Sequence, residues 1–162
     1  MQIRLVSTLF ALVLGGVSFA VMAETAADAV SVADPYVRAV PPGQPNSAAF
    51  MQLSNQSDAD HILVGAESAV AKTVELHTHV MEEGMMKMRR IEKIDLPAGQ
   101  EVALQPGGLH IMLIGLNQEL TPDTQVALTL VFEDGSKSEI QAPVRMLQMQ
   151  MSGQGGGMQH SH

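Results

Sequence analysis

The sequence predicts an all-β domain, a sandwich or Greek-key barrel, on three observations. Short apolar stretches recur at spacings of roughly 8–15 residues, each closed by turn residues. Asp134-Gly135 stands between two such stretches and is a strong hairpin signal. Apart from a single turn around Glu67–Lys72, no window of ordinary helix length keeps a 3.6-residue period without a breaker. A chain of 162 residues, 46% of them hydrophobic, suits one domain around one core.

The elements follow in order. Residues 1–23 have a short basic start, a largely apolar run from Leu5 to Ala20, and small residues before an expected cleavage after Ala23. This is the pattern of a secretory signal peptide, which leaves no membrane span once removed. Residues 24–33 are expected as a loosely held lead, and residues 34–145 as the domain. Its stretches are Tyr36–Val40, Ser47–Leu53, His61–Ala66, Thr73–Val80, Met86–Ile94, Val102–Leu104, Leu109–Leu116, Gln125–Phe132 and Lys137–Ala142. The breakers between them include Pro41-Pro42-Gly43, Pro97-Ala98-Gly99 and Pro106-Gly107-Gly108. Residues 146–162 form a Met-, His- and Gly-rich tail with no core of its own.

Composition excludes several classes. The formal net charge is −8, which argues against a nucleic-acid partner gripped through a basic face. The chain has no Cys, so disulfides, thiolate nucleophiles, zinc fingers and cysteine-based copper sites are out of reach. Export to an oxidising compartment suits that absence. Without Trp and with one Tyr, an aromatic platform for sugars is lacking. Neither a nucleophile motif nor a histidine with an evident orienting acid nearby in sequence appears, so an enzyme is not expected.

What remains is twelve Met and six His, unevenly placed. In an extended strand alternate residues share a face, so Glu75, His77, His79 and Met81 point away from the core that takes Val74, Leu76, Thr78 and Val80. The next stretch carries Met85-Met86-Lys87-Met88. A turn tip at Glu82–Glu83, or a four-residue loop Met81–Gly84, pairs residues whose numbers sum to 165. His77 then faces Met88 and His79 faces Met86. A three-residue turn with Gly84 as a bulge shifts the sum to 166 and sends Met88 to the other face. Further on, His110 and Met112 stand two apart after a Pro-Gly-Gly lead-in and share a face of their strand. Thioethers are soft and uncharged and favour Cu(I); zinc would want more imidazole or thiolate, and calcium would want oxygen. The competing account makes Met86, Met88 and Met112 adaptable core filler and His77 and His79 ordinary strand residues. His61, with no partner near it in sequence, is expected to be structural or superficial.

The spacing His77-x10-Met88-x21-His110-x-Met112 resembles the signature of the periplasmic copper chaperone PCu(A)C family. The likeness extends through Val74-Glu75-Leu76-His77, Met86-Lys87-Met88-Arg89, Leu96-Pro97-Ala98-Gly99 and Pro106 to Leu113, and covers about residues 34–145. It implies a cupredoxin-like β-sandwich that binds Cu(I) through His77, Met88, His110 and Met112. It also implies delivery toward the binuclear copper centre of cytochrome c oxidase, on subunit II, alongside Sco-like thioredoxin-fold proteins. His79 is a local variation that could add to or compete at the first half-site, with Met86 beside it. Some members of the family carry a Met/His-rich extension linked to Cu(II). The tail residues Met149, Met151, Met158, His160 and His162 are similar to that. Two other readings compete: a copper-storage or resistance protein, and a metal-free adhesive β-sandwich with a Met-rich interface.

Overall fold

The computed structural model describes residues 24–146. A four-residue helix α1 (Ala26–Ala29) precedes ten strands: β1 (Val30–Arg38), β2 (Asn46–Asn55), β3 (His61–Glu67), β4 (Ala71–Glu82) and β5 (Met85–Ile91), then β6 (Ile94–Leu96), β7 (Glu101–Leu104), β8 (His110–Leu116), β9 (Gln125–Phe132) and β10 (Lys137–Arg145). The all-β, cupredoxin-like class is what the sequence predicts. Hydrogen bonding runs continuously in the order β5-β4-β8-β2-β1-β10-β9-β3-β6, and β7 joins the same edge of β2 that β8 uses nearer its start. The path turns over at a short parallel junction, where Val37 and Arg38 meet Val144 and Arg145. β3 then packs against β4, and the two layers close on one core.

Alternation explains the layers. In β9, Val126, Leu128, Leu130 and Phe132 are buried while the residues between them are not, so every second side chain enters the core. β8 does the same with Ile111 and Leu113. β2 is buried on both faces over Ser47–Met51. Its inner face, with Ala49, Met51 and Leu53, belongs to the core, and its outer face, with Ala48 and Phe50, lies under the cluster described below.

Three expectations need correction. Residues 24–33 are not a loose lead. Thr25 and Asp28 cap α1 reciprocally, the Ala26 amide donates to Asp134 at 2.8 Å, and the Ala27 amide donates to Ser136 Oγ at 2.9 Å. Ala26 and Val30 are buried in the main core. The stretch Met86–Ile94 is two elements, because the chain breaks at Glu92-Lys93 and β6 crosses to pair with β3 in the other layer. Finally, β4 and β5 pair with residue numbers summing to 167. His77 therefore faces Arg90, His79 faces Met88 and Met81 faces Met86. The tip is Glu83-Gly84, both at positive φ, 52° and 78°, as a two-residue turn matched to strand twist requires. A shift of two residues leaves parity intact, so Met86 and Met88 stay on the face of His77 and His79.

Candidate metal centre

The outer face of β5-β4-β8-β2 carries the cluster. Leu76 and Ile111 pair and point inward, so their neighbours His77 and His110, also paired, point outward. The next rung pairs Glu75 with Met112, and Met112 is flanked on its other side by Ala48. The small Ala48 side chain leaves room beside the thioether. Arg38, Ala48, Phe50, His79, Met88, Pro106, Gly107, His110 and Met112 line an open cavity of about 250 Å³. Of the four predicted residues, the structure brings Met88, His110 and Met112 to this cavity. His77 stands next to it, its ring centroid 5.8 Å from that of His110. His79 is in the cavity wall with its cross-strand partner Met88, its ring centroid 5.2 Å from that of His110. His77 and Met88 are diagonal neighbours, not opposite ones, a separation that long side chains bridge. Met86 sits one rung further toward the hairpin tip. Met149, Met151, Met158, His160 and His162 lie outside the described residues, as does the 1–23 leader.

Hydrogen bonds fix which ring nitrogens carry protons. His77 Nε2 donates to Glu75 Oε2 at 2.8 Å, while its Nδ1 is buried with no partner. A buried ring nitrogen without a partner, on an imidazole anchored by a carboxylate, is the arrangement expected of a metal ligand. His110 Nδ1 donates to the Gly108 carbonyl at 3.0 Å, which leaves its Nε2 as the free acceptor. That carbonyl is delivered by the turn Gln105–Gly108, closed by Gly108 N–H to Gln105 at 3.0 Å, with Gly107 at φ +82° where side chains are disfavoured. His79 Nδ1 approaches the same carbonyl at 3.4 Å.

Neighbouring groups set the charge. His110 is 2% exposed, and burial pushes its pKa down, helped by His79, His77 and Arg38 and opposed by the Gly108 carbonyl. It is held neutral, as ligation demands. Glu75 is held below the usual carboxylate range, chiefly by its bond to His77, with Arg90 adding at 3.4 Å. Arg38 adds a positive charge to the wall, which disfavours a divalent guest over a monovalent one. Among the described residues no three His, Asp or Glu side chains converge for a metal ion. The soft donors that line the cavity beside the imidazoles are the thioethers of Met88 and Met112.

The core-filler account of the methionines does not hold for β5. Met86 is 54% exposed and Met88 45%, so neither fills a gap in the interior. Sequence reasoning missed Glu75 as the orienting acid, although it stands two residues before His77 and so shares its face. Phe50 and Arg38 were missed as well, and only pairing across strands places them here. His61 is structural, its Nδ1 2.7 Å from Glu133 Oε1.

A pH dependence follows from His110. The folded protein refuses a proton that the unfolded chain accepts below about 6.5, the ordinary histidine pKa. Stability from this group is complete above that value and is lost as pH falls toward the depressed folded pKa. The melting temperature of the metal-free protein is expected to drop between neutral pH and pH of about 5.5, and His110→Gln should flatten that slope. Equal slopes in the two proteins would show that His110 titrates normally.

Fold and site together define an all-β domain that gathers imidazole and thioether groups on one sheet face. The chain belongs to the LpqE-like family, described as "Putative lipoprotein LpqE-like", whose model matches residues 30–144. It is 38% identical over 120 residues to "Putative lipoprotein Lxx21020" of Leifsonia xyli subsp. xyli (strain CTCB07), covering 74% of this chain and 71% of that one. Among solved structures it is similar to the copper-bound PCuAC domain from PmoF2, at 27% identity and TM-score 0.64 over 77% of this chain and 99% of that domain. It is also similar to the Cu(I)-bound form of DR1885 from Deinococcus radiodurans, at 34% identity and TM-score 0.61, over 76% and 85% of the two chains. These likenesses agree with the PCu(A)C resemblance in the sequence. No helix among the described residues is long and apolar enough to cross a membrane.

Proposed function

We propose that this protein is a copper chaperone that holds one Cu(I) ion on the outer face of β4, β5 and β8 and passes it to an acceptor. The observation that carries the proposal is the buried, unpartnered Nδ1 of His77 beside a neutral, buried His110, next to the thioethers of Met88 and Met112. The ligand set would be His77, Met88, His110 and Met112, with His79 close enough to take the place of His77 in a loaded or departing state. These ligands carry no charge, so the loaded site is monocationic. Cu(I) accepts two to four soft donors and changes them one at a time. Transfer would proceed by ligand exchange: the exposed Met88 leaves first, an incoming donor replaces it, and the buried imidazoles release last. No electron moves, and no thiol is put at risk.

The copper-bound forms among the similar structures support the metal assignment. The leader-like residues 1–23 support export to the periplasm. The family resemblance points to subunit II of cytochrome c oxidase as acceptor, with Sco-like proteins as co-workers, and to Cu(II) binding by the 146–162 tail.

Titration of the metal-free protein with Cu(I) against a competing chelator tests the core of this reading. One tight ion is expected, with sulfur and nitrogen neighbours in its copper-edge absorption spectrum. Met112→Leu keeps the volume and should weaken Cu(I) binding by about tenfold or more, since a lost ligand costs at least as much as a lost orienting partner. Its melting temperature should barely move. Absence of any tight ion would leave the metal-free adhesive module as the better account.

A further inference from the structure

The thioethers do not stop at the cavity. The β4–β5 ribbon presents three outward rungs in a row, His77 with Arg90, His79 with Met88, and Met81 with Met86. Rungs two residues apart are about 7 Å apart along the strand. Exposure rises outward: His110 is buried at 2%, Met88 is 45% exposed, Met86 54% and Met81 65%. Large apolar side chains left this open at directly opposed positions are unusual unless something uses them. Cross-strand partners place their Cβ atoms about 5 Å apart, a gap that two flexible thioethers can pinch around one ion. Hard cations gain little there. The nearest strand carboxylate, Glu82, has the opposite parity in β4 and is engaged by both Arg89 and Lys87. Those ion pairs also brace the hairpin from its other face.

We infer that Met81 and Met86 form a second, solvent-facing site for a soft monovalent cation, the port by which Cu(I) enters and leaves the deeper site. The inference rests on the proposed Cu(I) function and adds a second site to it. An ion at the tip is held by two neutral sulfurs alone, so it binds weakly and exchanges fast. One rung inward it meets His79 and Met88, and beyond them the buried imidazole of His110. Copper stays Cu(I) throughout; each donor gained replaces one given up.

The test uses the full chain with carbon-13-labelled methionine methyls, each assigned by its Met→Leu variant, titrated with Cu(I) without oxygen. The first equivalent should shift Met88 and Met112, and further Cu(I) should shift Met81 and Met86 together. The double variant Met81→Leu/Met86→Leu should keep the first-equivalent affinity yet surrender its ion severalfold more slowly to a chelating acceptor. Still methyls at Met81 and Met86 while Met88 and Met112 move would overturn the port and leave the chaperone reading intact. Release at the unmodified rate from the double variant would also overturn it. If none of the four methyls moves, the Cu(I) site itself is wrong, and the port falls with it.

Discussion

His110→Gln is expected to weaken Cu(I) binding by about a hundredfold or more, roughly 2.7 kcal/mol, while the protein stays folded. Glutamine can fill much of the imidazole's space and offer an N–H to the Gly108 carbonyl, which now accepts from His110 at 3.0 Å. What it lacks is a basic nitrogen lone pair. His110 is the most deeply placed member of the cluster, touching His77, His79 and Phe50 with ring centroids 5.2 to 6.3 Å away. Solvent cannot easily substitute for it, so the lost donor has no ready replacement. Competition with a Cu(I) chelator, set against the melting temperature of each protein, separates ligation from folding. A variant that binds Cu(I) as tightly as its parent would remove His110 from the site and require a different centre for it.

The contrast between His77 and His79 shows how far the sequence was legible. Strand parity put both rings on one face of their strand, and His110 and Met112 on one face of theirs, because a period of two is a property of the pleat. Met88 joined the two rings only through an even-length turn, and the pairing of β4 with β8 is what unites the two faces. Parity could not say which histidine faces Met88. That depends on where the hairpin turns, and every even-length turn gives the same parity. The turn is settled by backbone strain: Glu83 at φ 52° is tolerated because Gly84 follows it, which moves the tip one residue beyond Glu82–Glu83. The helix α1 was hidden for another reason. Its apolar content is only alanine, and its anchors, Asp134 and Ser136, are more than a hundred residues away. Yet Thr25 and Asp28 at capping-box spacing were a local signal for it. Long-range anchors leave no mark in a period; capping residues do.

Asn55 carries the second large expected effect. Its position as the last residue of β2, among Ser54, Gln56, Ser57 and Asp58, suggests an ordinary turn residue, but it is 1% exposed. Its Nδ2 donates to the carbonyls of Ala59 at 2.7 Å and Leu96 at 2.8 Å, and its Oδ1 accepts from the Ser57 amide and hydroxyl. Leu96 belongs to β6 in the opposite layer, so one amide ties the end of β2 to the other half of the sandwich. Asn55→Ala removes four bonds, one of them the tie to the Leu96 carbonyl in the other layer. At about 0.5–1.5 kcal/mol net for each bond, a loss of about 3 kcal/mol is expected. In a domain of this size that lowers the melting temperature by about 10 °C. Asn55→Asp should be no milder, since it keeps the acceptor for Ser57 but turns the donor into a second oxygen facing two carbonyls. Both variants should bind Cu(I) normally below their melting points, because Asn55 lies at the far end of β2 from the Ala48–Met112 rung. Thermal melts with and without Cu(I) check this. Unchanged stability in Asn55→Ala would mean that water or a neighbouring donor satisfies the Leu96 carbonyl, and that the two layers are held together by their apolar faces alone.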